Sequence, residues 1–158
     1  AWIGLGSNLD DPVAQLERAF IALGELPDTR LYLRSSLYRN PPMGPQDQPD
    51  FVNAVAGLLT RLPVRELLDA LQAVERAAGR DRAQSQRWGP RPLDLDILCF
   101  GQLRIEEPGL HLPHPGIAER NFVLLPLLEL APGLQIPGLA PLLGLVARLG
   151  DGGLEPLE

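Results

Sequence analysis

The stretch "RWGPRPLDLDILCFG", residues 87–101, carries two aspartates, Asp94 and Asp96, one residue apart at the head of an apolar run. In a strand, alternation puts both carboxylates on one face, roughly 7 Å apart. Leu93, Leu95, Ile97 and Cys99 then fall on the opposite, buried face, while Leu98 and Phe100 continue the aspartate face. Two unit charges at that separation repel by about 2 to 3 kcal/mol at an effective dielectric near 20. A compensating positive charge is therefore expected. One candidate is a hard divalent cation such as Mg²⁺, commonly held by a pair of carboxylates together with substrate phosphates. The other is ion pairing with Arg87 and Arg91, or plain solvation.

The neighbouring segment "GRDRAQSQRWGPR", residues 79–91, brings Arg80, Arg82, Arg87 and Arg91 to the head of the pair. Guanidinium forks match phosphate oxygens, so an arginine loop beside an acid pair suits a polyphosphate substrate, although a solvated basic loop has the same composition. Trp88 either packs on a planar ligand or caps the core. All 14 basic residues are arginine and none is lysine. Schiff-base chemistry and a Walker A phosphate loop are thereby excluded. In "HLPHPGIAERNF", residues 111–122, Pro113 separates His111 from His114, and no second cysteine or acid cluster completes a zinc site. With Arg120 and Phe122 the segment reads as a phosphate or nucleotide contact. "GLGSN", residues 4–8, opens like a dinucleotide fingerprint but has Leu9 where the third glycine belongs, and is read as a turn.

These groups need a scaffold. The 158 residues, 45% of them apolar, suffice for one core, with no composition break, so a single domain over 1–158 is expected. The longest apolar run, "FVLLPLLELAPG", is short and broken by proline, which argues against a membrane span. A net charge of -6 argues against nucleic acid and anionic membranes as partners. The opening residues carry no charged-then-apolar leader pattern and Cys99 is the lone cysteine, so a cytoplasmic location is expected.

Periodicity then orders the elements. "AWIGL" (1–5) reads as a strand. A helix follows with Asp11 as N-cap, Pro12 as first residue and Val13, Leu16, Ala19, Phe20 and Leu23 as its apolar stripe, ending at Gly24. "TRLYLRSSLY" (29–38) alternates like one half-buried strand, and four prolines make 40–50 a loop. "FVNAVAGLLT" (51–60) is a strand, and a helix after Pro63 carries Leu67, Leu68, Leu71 and Val74 to about Gly79. The loop 80–92 leads into the Asp94 strand. Strand, helix, strand, strand, helix, strand is the order of an α+β, ferredoxin-like antiparallel sheet with helices on one face. A C-terminal strand/helix extension is expected beyond it: a hairpin through Gly101 to "LRIEE", a helix around 119–130, a short strand near 134–136 and a last helix from about 141.

"NPPMGPQDQPDFVNAV", "RWGPRPLDLDIL" and "LPHPGIAERNFVLLPL" together resemble the 6-hydroxymethyl-7,8-dihydropterin pyrophosphokinase family of folate biosynthesis, in the same order and over nearly the whole chain. The resemblance implies a ferredoxin-like α+β fold. It also implies transfer of the pyrophosphoryl group of MgATP to the pterin hydroxymethyl oxygen with release of AMP. On matching positions it implies that Asp94 and Asp96 bind two Mg²⁺ ions, that Arg82 and Arg91 act on the phosphates, and that His114 and Arg120 touch the same nucleotide. It further implies that Arg80 would support them, that Trp88 would border the nucleotide as well as the pterin, and that Gln72, Glu75 and Ile97 would lie near the nucleoside. Asn53 would read the pterin amide edge, Phe122 and Trp88 would stack about its ring, and Pro41, Pro42, Met43 and Phe51 would line the pocket. Three departures stand out: Asn40 where the family often has Thr, Phe51 where Tyr is common, and an arginine loop one residue longer. Loops 40–50 and 80–92 are expected to act as lids. The expected partners are ATP and the pterin, with a monomer expected and a homodimer left open. Two rivals remain: a non-catalytic ferredoxin-like ligand- or RNA-binding module, and a Mg²⁺ kinase or nucleotidyltransferase acting on another substrate.

Overall fold

The computed structural model describes residues 1–41, 47–79, 92–150 and 152–157. Its centre is a six-stranded sheet of β1 (Trp2–Ser7), β2 (Thr29–Arg34), β3 (Leu37–Asn40), β4 (Phe51–Thr60), β5 (Asp94–Cys99) and β8 (Glu155–Leu157). The order is β5-β1-β4-β3-β8, with β2 also on β4, and every pairing is antiparallel. A separate hairpin joins β6 (Ile105–Glu107) to β7 (Leu110–Leu112).

Helices cover both faces, not one. On the first face α1 (Pro12–Gly24) and α2 (Val64–Ala77) bury Leu16, Phe20, Leu23, Leu67 and Leu71 against Ile3, Leu5, Ala54, Ala56, Leu95 and Ile97. The α1 stripe is as expected except Val13, which is 39% exposed. Asp11 caps that helix, its Oδ1 accepting from Ala14 N at 3.4 Å. In α2 the buried face is Leu67, Leu71 and Glu75, with Leu68 and Val74 only partly covered. On the second face α3 (Asn121–Leu130) and α4 (Leu142–Leu149) bury Val123, Leu124, Leu127, Leu142 and Leu145 against Val55, Leu98 and Trp2. That layer covers only part of the face.

Several expectations change. Residues 4–7 of the expected "GLGSN" turn are strand, because β1 continues through Ser7, paired with β4 up to Ser7 and with β5 up to Gly6. The expected 29–38 strand is two, interrupted at Ser35 and Ser36. At the break Ser35 replaces the lost ladder: its N–H donates to Val55 O at 2.9 Å and its Oγ accepts from Val55 N at 2.8 Å. The hairpin runs through Pro108 and Gly109, not Gly101, and the extension ends in β8 with no strand at 134–136. A 3₁₀ turn at Ile117–Glu119 precedes α3. Finally, the β1–β5 register shifts between Trp2 and Ile3, which pair with Cys99 and Ile97. That bulge puts Cys99 with the second-face cluster and Phe100 beside the first, the reverse of strict alternation.

Ser35 supplies the first test. Ser35→Ala strips the Val55 amide of its acceptor in a buried position, so urea denaturation should show a loss of about 1 to 3 kcal/mol. An unchanged midpoint would mean that water replaces the hydroxyl.

Candidate active site

Along β4 the odd positions Phe51, Asn53, Val55 and Gly57 share the second face, and along β1 Trp2, Gly4 and Gly6 share it. At one end Trp2 lies over Gly57 and α3 over Val55, which closes the surface with apolar packing. At the other end the face stays open as a cleft of about 220 Å³. Its floor follows from register: Gly6 pairs with Asn53 on one side and Asp94 on the other, and Gly4 with Val55 and Asp96. Since neighbouring strands lie about 4.8 Å apart, Asn53 and Asp94 stand about 10 Å from each other across a strand that carries no side chain there. A Cβ on Gly6 would come within 2.8 Å of Asn53 Oδ1, and one on Gly4 within 3.3 Å of Leu98. The two glycines are the room in the site.

The aspartates line this cleft, half-buried and on one face. Glu75, 1% exposed, accepts from Leu95 N at 2.8 Å through Oε2 and so fixes the peptide between them from the edge side. Among the described residues no group of three or more His, Cys, Asp or Glu side chains assembles a metal cage. An oxygen-donor pair of this kind suits a hard cation such as Mg²⁺, which commonly binds together with phosphate oxygens.

The cleft's far wall comes from the chain after β7. His114 N donates to Leu98 O at 2.8 Å, which ties that segment to the end of β5. Gly116 N donates to His114 Nδ1 at 3.0 Å, so in the neutral ring the proton sits on Nε2. Burial, then the Arg120 guanidinium, pulls His114 down from 6.5 to about 4, with Asp94 opposing and His111 adding slightly. Arg120 lies across Gly116, where a Cβ would meet its Nε at 2.6 Å, and its Cζ is 5.9 Å from the Phe122 ring centre. At the end of β1, Asn8 Nδ2 donates to Gln48 Oε1 and Pro49 O, and Ser7 Oγ to Pro92 O at 2.5 Å. The end of β1 thus ties down the residues just before β4 and just before β5.

Of the residues singled out from sequence, Phe51, Asn53, Asp94, Asp96, His114, Arg120 and Phe122 converge on the cleft. Gln72 is half-buried on α2, Glu75 is buried behind β5, and the Ile97 side chain is in the first-face core, so these three do not line it. Pro41 is exposed after β3. Pro42, Met43, Arg80, Arg82, Arg87, Trp88 and Arg91, with most of both expected lids, lie outside the described residues. Sequence reasoning missed Gly4, Gly6 and Asn40 as lining residues. The i, i+2 glycines in an apolar strand were the available signal.

His114 makes stability depend on pH in a definite direction. The unfolded imidazole titrates at 6.5 and the folded one at about 4, so between those values the unfolded chain holds the extra proton. Stability of the ligand-free, metal-free protein should fall as pH drops through that window, with a His114 contribution of at most about 1.4 kcal/mol per pH unit. Urea titrations of the wild type and His114→Gln should differ in slope there; parallel slopes would mean that the ring titrates normally.

Residues 2–132 match the family model for 7,8-dihydro-6-hydroxymethylpterin-pyrophosphokinase (HPPK). The chain is 49% identical over 156 residues to 2-amino-4-hydroxy-6-hydroxymethyldihydropteridine pyrophosphokinase of Pseudomonas aeruginosa, covering 99% of this chain and 95% of that one. It is 46% identical to the protein of the same name from Haemophilus influenzae, covering 96% and 93%. Among solved structures it is similar to Plasmodium falciparum HPPK-DHPS wild type with SDX-DHP, at a TM-score of 0.66 and 14% identity. That likeness covers 94% of this chain and 43% of that one, and concerns the fold alone. With the family model matched over most of its length and near-half identity to full-length relatives, the chain belongs to the 7,8-dihydro-6-hydroxymethylpterin-pyrophosphokinase family.

Proposed function

We infer that this protein transfers the pyrophosphoryl group of MgATP to the hydroxymethyl oxygen of 6-hydroxymethyl-7,8-dihydropterin, releasing AMP, as an ATP-dependent diphosphotransferase of folate biosynthesis. The observation that carries the inference is the row Asn53, Gly6, Asp94 across three strands. It sets an amide reader and an acid pair at the two ends of one glycine floor, a span that suits a bicyclic ring with a hydroxymethyl arm. Phe51 and Phe122 border the ring, and Asn53 pairs with its lactam edge.

In the reaction the pterin hydroxyl oxygen bonds to the β-phosphorus of ATP, the bond from that phosphorus to the α,β-bridging oxygen breaks, AMP leaves with that oxygen, and the hydroxyl proton passes to solvent. Asp94 and Asp96 would hold two Mg²⁺ ions, which would supply the charge that offsets the phosphates and makes the hydroxyl easier to deprotonate. His114, neutral with its proton on Nε2, donates to a phosphate oxygen, and Arg120 supplies fixed positive charge beside it. Arg82 and Arg91 serve the transferred phosphates, with Arg80 in support. Pro41, Pro42, Met43 and Trp88 complete the walls.

The nucleoside lies along the outer edge of β5, between Gln72 and the Ile97 main chain. The Leu95 N–H points to that edge, toward Glu75, and in an antiparallel ladder the Ile97 N–H and C=O point the same way. The edge strand can therefore hydrogen-bond a base through its backbone while the Ile97 side chain stays in the core. A ferredoxin-like sheet is the architecture we propose, on the order β5-β1-β4 followed by the β2/β3 pair with α1 and α2 on one face. It forms a single pyrophosphokinase domain, since both core clusters share the one sheet.

Incubation with MgATP and the pterin should yield AMP in step with pyrophosphorylated pterin. ADP instead would mark an ordinary kinase and inorganic pyrophosphate a nucleotidyltransferase. Asp94→Ala and Asp96→Ala should each fold and lose about 10³-fold or more in kcat/KM. Gly6→Ala, by crowding Asn53 Oδ1, should weaken pterin binding about tenfold or more at unchanged ATP affinity. Wild-type pterin affinity in that variant would contradict the glycine floor.

A further inference from the structure

Asn40, the last residue of β3, is buried at 6% exposure, lines the cleft, and has a role that neither the aspartates nor the aromatic walls require. Its Nδ2 donates to Pro41 O at 3.1 Å. A carbonyl only accepts, so this contact decides which way the Asn40 amide lies and turns its Oδ1 the other way. There Asn53 Nδ2 donates to Asn40 Oδ1 in a buried hydrogen bond. The Asn53 amide is thereby fixed in turn, with Oδ1 over the Gly6 floor. One Nδ2 proton is used by Asn40, which leaves the other for a ligand. Polarity runs in one direction along the chain: Pro41 carbonyl, Asn40, Asn53, ligand.

The two ends of an asparagine amide have nearly the same shape, and an amide in a cleft can turn over to suit either of two ligand edges. We propose that Asn40 sets the polarity of the Asn53 amide and is thereby the residue that makes the cleft select a lactam edge, N–H beside C=O, over the reversed edge of a 2,4-diamino ring. The inference deepens the pterin function above and rests on it. With Asn53 locked, its Oδ1 accepts from the ring N–H while its remaining Nδ2 proton meets the ring carbonyl. A 2,4-diamino ring offers a bare nitrogen to Oδ1 and an amine to Nδ2, and both contacts become repulsive. Rejection of this kind leaves buried polar groups unpaired, which is a strong source of discrimination. Asn40 is a positioning residue: it acts on the ligand through Asn53.

The test compares equilibrium binding of 6-hydroxymethylpterin and of 2,4-diamino-6-hydroxymethylpteridine to the wild type, Asn40→Ala and Asn40→Asp, with ATP affinity as control. The wild type should prefer the lactam. Asn40→Ala should lose about tenfold or more of that preference, largely by gaining affinity for the diamino ring as the freed amide turns over. Asn40→Asp keeps an acceptor for Asn53 and should keep the preference, and ATP affinity should not move. If Asn40→Ala weakens both pterins in parallel, Asn40 merely supports the wall and the inference falls. If the wild type binds neither ring, the pterin function itself fails first. Should Asn40→Ala not fold, side-chain amide exchange in the ¹⁵N-labelled wild type decides: one Asn53 Nδ2 proton should be protected without ligand, and two freely exchanging protons would overturn the lock.

Discussion

The register of β1 between β4 and β5 is the constraint on which the rest of the structure depends. Side chains alternate with a period of two, so a slip by one residue would carry Gly4 and Gly6 to the helix-covered face and drive Ile3 and Leu5 into the cleft. The register is held from both sides. Ile3 and Leu5, 0% and 2% exposed, are anchored in the first-face core, and Trp2 packs onto Gly57, where no side chain could fit. Burial of apolar side chains of this size is worth about 1.5 to 3 kcal/mol each, so a slip loses far more than any single site contact could return.

Given that register, the second helical layer decides where the open face ends. Val123, Leu124 and Leu127 of α3 cover Val55 and Leu98, while the start of the same helix presents Phe122 toward the cleft, with Arg120 just before it. The far end of α3 is tied to the broken edge of the sheet through Glu129, which accepts from Ser36 N, Ser36 Oγ and the Tyr38 hydroxyl, the last at 2.6 Å. Burial and that carboxylate push the Tyr38 phenol up, so it stays a donor. The interruption between β2 and β3 thus has a use: it exposes a main-chain N–H and two hydroxyls to dock the helix whose first turn completes the site.

Where chemistry and periodicity coincided, the sequence was legible. The shared face of Asp94 and Asp96 follows from alternation alone, and α1 was readable from Asp11 and Pro12 through Gly24 because local caps enclosed a clean apolar stripe. Features set by distant partners were not. Cys99 and Phe100 exchange faces through a bulge that exists only against Trp2 and Ile3. β8 is three residues whose strand character comes from pairing with β3, 116 to 120 residues earlier in the chain. Glu75 sits at helical spacing from Leu71, yet nothing local says that its carboxylate caps the Leu95 amide. Gly4 and Gly6 looked like a turn because glycine usually breaks a strand; here their missing side chains make the cavity.

The choice of charged groups completes the logic. Of the described residues lining the cleft, Asp94 and Asp96 are acids, Arg120 is a permanent cation, and His114 is held neutral at physiological pH. These groups together carry a net negative charge, in a chain already at -6, and would repel a bare triphosphate. A cation placed on the aspartates would reverse the sign of that field, so such a cation and an anionic ligand would each favour the other's binding, as thermodynamic linkage requires. Keeping His114 neutral has a matching benefit. A protonated ring would add a positive charge beside Asp94, whereas a neutral ring with its proton on Nε2 offers the cleft a donor without a charge.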